Sequence, residues 1–462
     1  MRSFLEAIVA KQTGWVELRY HRRLLNDFTV QKGRVDVANS SVTGGIGVRV
    51  LENGSWGFAS TVNLSAAAIE SAIETARANA LEISKIQAKK IPALPRVTLG
   101  QGDITLPGYD ELMSRPLEDK LSAMVSMERE AAGSASQIHT AMASYREIFE
   151  DKVVVTSDGA SISQKLVRPE LRLVAYASGD GEQNIGHTSL GVTGGWDCLF
   201  NHHKAGAIIE DTVRSAVDLL GAPHLPGGKT KVILEPSVVG LLSHEAIGHT
   251  VEADFVMSGS VAAGKIGKRV ASELVTLCDS GAAEFGPTPG GLMAFDDEGV
   301  PTENTVIIED GVFKSYLHNR ESAAHFGVAP TGNARAWLYH DEPLIRMRNT
   351  YISPGTTSFE EMVASTDEGF LLVGAGSGQA DATGEFMFGT DYAVEIKNGK
   401  LGRKFKEATI SGVAFDVLST VDAVGSEFKW DLGAGYCGKW QPAKVDAGGP
   451  YVRCEITLGG RQ

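Results

Sequence analysis

Residues 221–249 read GAPHLPGGKTKVILEPSVVGLLSHEAIGH, and this stretch divides the chain. GAPHLPGG (221–228) is a Pro/Gly-rich breaker that interrupts any regular element. The apolar run from Lys231 to Leu234 predicts a short strand. Pro236 suits the first turn of a helix, so a helix is expected there, with Val238, Val239 and Leu242 turned to a core. The breaker places a domain boundary after residue 222. One domain is expected over 1–222 and a second over 223–462.

Upstream of the breaker the pattern is α/β. Arg34–Val37 and Gly45–Val50 read as strands. Asn53-Gly54 predicts a type I′ hairpin turn, because both residues tolerate φ > 0, and Trp56–Ser60 is the returning strand. Ser65 is a candidate N-cap for a helix whose Ile69, Ile73, Ala76 and Ala80 share one face. A second helix is expected over Leu117–Ala132. Tyr145–Ser157 and Glu170–Ala177 alternate as half-buried strands do. His203–Leu220 reads as an amphipathic helix.

Downstream of the helix at Pro236, short apolar or alternating runs are separated by turn residues. Thr305–Ile308, Tyr392–Ile396 and Val452–Leu458 are the clearest runs, and Asp310-Gly311 and Asn398-Gly399 the clearest turns. This predicts a largely antiparallel, barrel-like sheet. The fold class is therefore α+β: an N-terminal α/β domain joined to a β-rich C-terminal domain that carries the helix of residues 236–249. Glycine-rich Val373–Gly378 imitates a dinucleotide loop, but no strong helix follows it, so it reads as a loop between strands.

Composition narrows the function. Hydrophobic residues make up 43% and charged residues 22% of 462, enough to bury a core without disulfides. The formal net charge of −14 argues against nucleic acid as a partner, since phosphate binding needs a basic face. No apolar run is long enough to span a membrane. The N-terminus carries Glu6 and Lys11 where a secretory signal would be apolar. Cys198, Cys278, Cys437 and Cys454 are widely spaced, as reduced thiols are. The expected setting is cytoplasmic.

HEAIGH (244–249) carries the chemistry. In the familiar HExxH pattern the histidines lie about 40° apart around a helix; at i and i+5 they lie about 140° apart. Two imidazoles so placed cannot share one metal on an ideal α-helix. Either a π-bulge brings them into line, or the helix ends at Gly248 and His249 swings round. Spacing alone leaves open that they are unrelated histidines at a helix end. Glu245 favours the metal, because a carboxylate beside a metal-ligating histidine is what an attacking water needs as general base.

A catalytic zinc usually takes three protein ligands, so a third is required. Glu252, Asp254, Cys278, Cys437, Cys454, and Cys198 with His202 and His203 are the candidates. Glu252 reads equally well as a ligand or as a carboxylate behind one. Cys437 lies between glycines that let the backbone approach another element, and its thiolate would be a good soft ligand. Cys454, in a strand-like run, reads as a small buried hydrophobe.

Several motifs in order resemble the TldD/PmbA peptidase family, once called modulators of DNA gyrase. They are GIGVRV (45–50), NGSWGFAST (53–61), TSDG (156–159), HEAIGH with Glu252 and Asp254, LHNR (317–320), TGN (331–333), RMRNT (346–350), Asn398-Gly399 and CGK (437–439). The resemblance implies a Zn2+ site of His244, His249 and Cys437, with Glu245 as general base. It implies a peptidase for small unfolded peptides or unstructured protein termini, working as a homodimer or as a heterodimer with a metal-free paralogue. Glu252, Asp254, His318 and Arg320 are candidates for support of the site or contact with substrate. The alternative is a non-catalytic partner subunit of a peptidase complex, which would lack the His-Glu-His set. One departure stands out: WQP (440–442) follows CGK where the family pattern continues with Gly-Gln.

Overall fold

The protein was analysed as a computed structural model that describes all residues except 92, 180, 201–203, 287 and 460–462. The proposed Cys198–His202–His203 grouping and the predicted helix start at His203 lie outside the described residues. The N-terminal half is built on long strands. In chain order these are β1 (Trp15–Gln31), β2 (Arg34–Glu52), β3 (Ser55–Thr61), β4 (Gln101–Thr105), β5 (Ile138–Thr156), β6 (Ser161–Gly179) and β7 (Glu182–Gly191). The sheet order is β3-β2-β1-β5-β6-β4, with β7 on the far part of β6. Every pair is antiparallel except β4–β6.

The type I′ turn predicted at Asn53-Gly54 has φ of 48° and 68°, and the predicted turns at Asp310-Gly311 and Asn398-Gly399 share that geometry. The two short strands expected over 34–50 are one continuous β2. Ser65 caps a helix over Ala66–Ile86 by accepting the Ala68 N–H, and Ile69, Ile73, Ala76 and Ala80 are buried as their spacing required. Helices Ala66–Ile86, Leu117–Gly133 and Ala205–Asp218 place their apolar faces in two clusters on the sheet.

β1 was not anticipated from the sequence. Val16 and Leu18 face an apolar cluster, but Glu17, Arg19, His21 and Arg23 are buried as well. Their face of the sheet packs on the C-terminal half through charge pairs. Arg49 bridges Glu17 and Glu298, Lys152 pairs with Asp297, and Arg320 pairs with Asp158. Both faces of β1 are thus covered, one by apolar and one by ionic contacts. The alternation of Val16, Leu18 and Tyr20 with Glu17, Arg19 and His21 is intact, but its polar face is buried instead of facing water.

In the C-terminal half, β8 (Gly228–Leu234) pairs with Glu368–Ala380 on one side and Val452–Gly459 on the other. The order continues through Ala408–Val413 to Glu385–Lys397, which pairs back with Glu368–Ala380 and closes a ring of five strands. Within that ring only the pairing of β8 with Glu368–Ala380 is parallel. The expected α+β class with a barrel-like, largely antiparallel C-terminal part is what the chain adopts. Val373–Gly378 is not a loop; it belongs to the strand Glu368–Ala380, with a register shift between Ala375 and Gly378. A Cβ on Gly376 would lie 2.9 Å from the Gly389 backbone, so close strand packing accounts for these glycines.

Candidate metal centre

Helix Pro236–Leu241, with Pro236 at its first turn, runs directly into a π-helical turn over Leu242–Gly248. The His249 N–H donates to the His244 carbonyl, the i→i+5 bond of that turn. Of the two ways to reconcile histidines five residues apart, the π-turn is the one present, and it puts their ring centroids 5.3 Å apart. Gly248 makes it possible: a Cβ there would sit 1.9 Å from Met347 Sδ. A short 3₁₀ turn over His249–Val251 then leads to Glu252.

Cys437 arrives on a hairpin formed by Tyr436–Lys439 and Gln441–Lys444. The donor atoms of His244, His249 and Cys437 all lie within 4.8 Å of one another, and Cys437 Sγ is 3.0 Å from His249 Nε2. The other nitrogen of His249, Nδ1, is 3.1 Å from Glu252 Oε2. A carboxylate on the far nitrogen of a metal-binding histidine fixes the ring's tautomer and aim. Glu252 is fully buried and is held in turn by Lys439 Nζ at 3.0 Å. Lys439 also donates to Asp254 and to the Ile345 carbonyl.

The electrostatics of the cluster favour positive charge at its centre. Burial pushes the Cys437 thiol up, but the two histidines more than reverse this, to about 5. Burial likewise pulls His249 down, and Glu252 with Cys437 lifts it well above its ordinary value. His244 is raised against its own burial chiefly by Cys437. The sulfur is within electrostatic reach of His244 but not at hydrogen-bond geometry, so both buried ring nitrogens of His244 have no hydrogen-bond partner. Buried polar atoms are rarely left so. Two imidazoles, one of them without a hydrogen-bond partner, and a thiolate make a donor set that fits Zn2+.

Glu245 Oε2 lies 3.7 Å from His249 Nε2, with the side chain about a quarter exposed at 26%. Glu252 and Asp254 face Lys439. His318 follows Leu317, whose backbone pairs with the Val251–Ala253 segment; its Nδ1 is 3.0 Å from the Ser322 hydroxyl and its ring lies against Tyr316 and Phe326. Arg320 spans the two halves of the chain through Asp158 and, from its backbone N–H, Glu298. Cys454 packs in the barrel core, where burial pushes its thiol up to about 12. Cys278 lies among Tyr351, Trp430 and Phe285.

Sequence reasoning gave no task to Lys439 or Phe255, and took Arg346 as a residue that braces the dimer or the site. Fully buried Arg346 donates to the carbonyls of Cys437 and Gln441, on either side of the hairpin tip. Period-2 spacing would have put Lys439 on the same buried face as Cys437, as the burial of that strand shows.

Comparison with known proteins identifies the family. The PmbA/TldA metallopeptidase C-terminal domain matches residues 227–460, domain 1 of that family residues 16–80, and its central domain residues 111–220. A metalloprotease of Methanothermobacter thermautotrophicus is 33% identical over 96% of this chain and 95% of its own length. A zinc metalloprotease TldD homolog of Saccharolobus solfataricus is 28% identical over 96% of each chain. Among solved structures, a candidate modulator of a DNA gyrase from Thermotoga maritima shares the fold, with a TM-score of 0.80 at 22% identity over 99% of both chains. The chain belongs to the PmbA/TldD metallopeptidase family.

Proposed function

We propose that the chain is a zinc-dependent peptidase acting on small unfolded peptides or unstructured protein termini. The observation that carries this reading is the convergence of His244, His249 and Cys437 beside a water-accessible Glu245. His244, His249 through Nε2 and Cys437 through Sγ would hold the ion. Zinc bound there would supply a Lewis acid for a peptide carbonyl and make water acidic enough to attack near neutral pH.

The chain's own groups do the rest. Glu245 takes a proton from the attacking water at Oε2 and returns it to the leaving amine. Glu252 keeps His249 aimed by holding its Nδ1 side, and Lys439 keeps Glu252 ionised and in place. A strand-rich wall suits an extended peptide held by main-chain hydrogen bonds, which favours little sequence preference.

The same reading takes residues 223–462 as the unit that holds the site and residues 1–222 as its support. A dimeric, cytoplasmic enzyme belongs to it too. All four cysteines are free, and among the described residues no helix is long and apolar enough to cross a membrane. Glu245→Gln tests the mechanism. Zinc content should match wild type while peptide turnover falls at least about 100-fold, the usual range for a lost general base. Unchanged turnover would remove Glu245 from the chemistry.

A further inference from the structure

Beside the cluster stands a row of rings to which the peptidase reading gives no task. The His249 and Phe255 centroids are 6.4 Å apart, and those of Phe255 and Trp440 are 6.3 Å apart. The row thus runs from a candidate ligand out to a tryptophan that is 84% exposed. Phe255 is backed by a cation. Lys439 Nζ lies 4.2 Å from the Phe255 centroid, and Glu252, Asp254 and the Ile345 carbonyl fix that ammonium in place.

Trp440 occupies the tip of the Cys437 hairpin, between the paired Lys439 and Gln441. Gln441 is tied on three sides. Its Oε1 accepts the Trp337 N–H, its carbonyl accepts Arg346, and its amide donates to the Glu342 carbonyl. Trp440 has φ of +57°, a region where bulky side chains are outliers and glycine sits without strain. An exposed tryptophan kept in that conformation makes little sense as a folding element. Such outliers gather where a site contacts something else. Access is clear, since Gly438 beside it is exposed and a Cβ there would meet nothing within 4 Å.

We propose that Phe255 and Trp440 form a side-chain subsite for an aromatic or large aliphatic residue of the bound peptide, next to the bond to be cut. This rests on the peptidase reading above and adds a preference to it. Two tilted rings offer an incoming ring the edge and offset contacts that aromatic groups favour. The Lys439 charge is matched by two carboxylates, so the platform has no net cation to draw an acidic side chain. The inner end of the row is His249, so an occupant in contact with Phe255 also lies at the metal cluster, where a peptide must be.

The test measures binding without turnover, in the Glu245→Gln chain, by fluorescence anisotropy. The probes are two labelled Gly/Ser peptides that differ only in one residue, Phe or Ala. The Phe peptide should bind about tenfold more tightly. Adding Trp440→Gly should abolish that difference while zinc content and melting temperature hold, and Trp440→Phe should keep most of it. Equal affinity for both peptides, binding of neither, or a Trp440→Gly change that weakens both alike would overturn the subsite. So would a change in sedimentation with the Phe preference intact, which would make Trp440 a contact between chains. The two readings separate cleanly. Loss of preference in Trp440→Gly, with no turnover of any peptide by the zinc-loaded wild type, would leave the subsite and remove the peptidase. Turnover that needs Glu245 but ignores Trp440 would do the reverse.

Discussion

The segment 236–249 and the hairpin 436–444 deliver donors to one point by different means. The helix is seated by apolar burial: Val238, Val239, Leu242, Ala246 and Ile247 are at most 1% exposed and belong to the barrel core. Burial of the Val, Leu and Ile side chains among them stabilises by roughly 1.5–3 kcal/mol each. The hairpin is held mainly by polar clamps. Arg346 takes two of its carbonyls, Arg335 takes the Lys444 carbonyl, and Lys444 and Tyr436 both reach Glu170 of the N-terminal sheet. An apolar seat is periodic and therefore visible in a sequence. A polar clamp is assembled from residues far apart in the chain and leaves no local pattern.

The largest effect expected from breaking this contrast is on the hairpin. Arg346→Met would leave the Cys437 and Gln441 carbonyls without their donor, at about 1–3 kcal/mol for each orphaned group. Denaturant unfolding should show a loss of about 2–5 kcal/mol, with zinc content falling too. A loss below about 1 kcal/mol would mean that the hairpin does not depend on this clamp. On the helix side, Gly248→Ala forces a methyl against Met347 Sδ. Overpacking of this kind costs roughly 1–3 kcal/mol, and the π-turn should open. A structure of the variant with the His244–His249 spacing unchanged would contradict this account of Gly248.

Glu252→Gln probes the link between the two segments, since Glu252 touches both His249 and Lys439. Zinc affinity in chelator competition should fall about 10–100-fold. An unchanged affinity would show that the aim of His249 is set elsewhere. The smallest effect concerns Glu235, which immediately precedes the helix. Burial raises its carboxyl from 4.5 to about 7. Between those values the folded chain keeps a proton that the unfolded chain has lost, so this group's contribution to stability is full below about 4.5 and is lost as pH rises through about 7. Glu235→Gln keeps the acceptor that receives the Ser237 and Gly374 donors. It should flatten the fall in unfolding free energy over that window, and an equally steep fall in the variant would place the titration on another group.

The same contrast explains how much was legible in advance. Asn53-Gly54 announced its turn through φ, and Ile69, Ile73, Ala76 and Ala80 their helix face through spacing. HEAIGH posed a geometric problem whose solution, a π-turn permitted by Gly248, could be named but not chosen. Spacing could not single out Cys437 among the candidate ligands, because its partners lie about two hundred positions away; the glycines around it and the family resemblance were what favoured it. β1 was missed although Val16, Leu18 and Tyr20 alternate with Glu17, Arg19 and His21; its polar face is covered by Glu150 of the same sheet and by the Leu338 and Asp341 carbonyls and the Trp337 ring of the C-terminal half.

The central claim is that His244, His249 and Cys437 bind one zinc ion together. Metal content of the purified wild type, measured beside Cys437→Ala and Cys454→Ala, tests it most directly, because Cys454 is an equally buried thiol in the barrel core. The account predicts about one zinc per chain in wild type and Cys454→Ala, as a single catalytic site requires, and almost none in Cys437→Ala. Zinc-free wild type after zinc is supplied, or full zinc in Cys437→Ala, would contradict it.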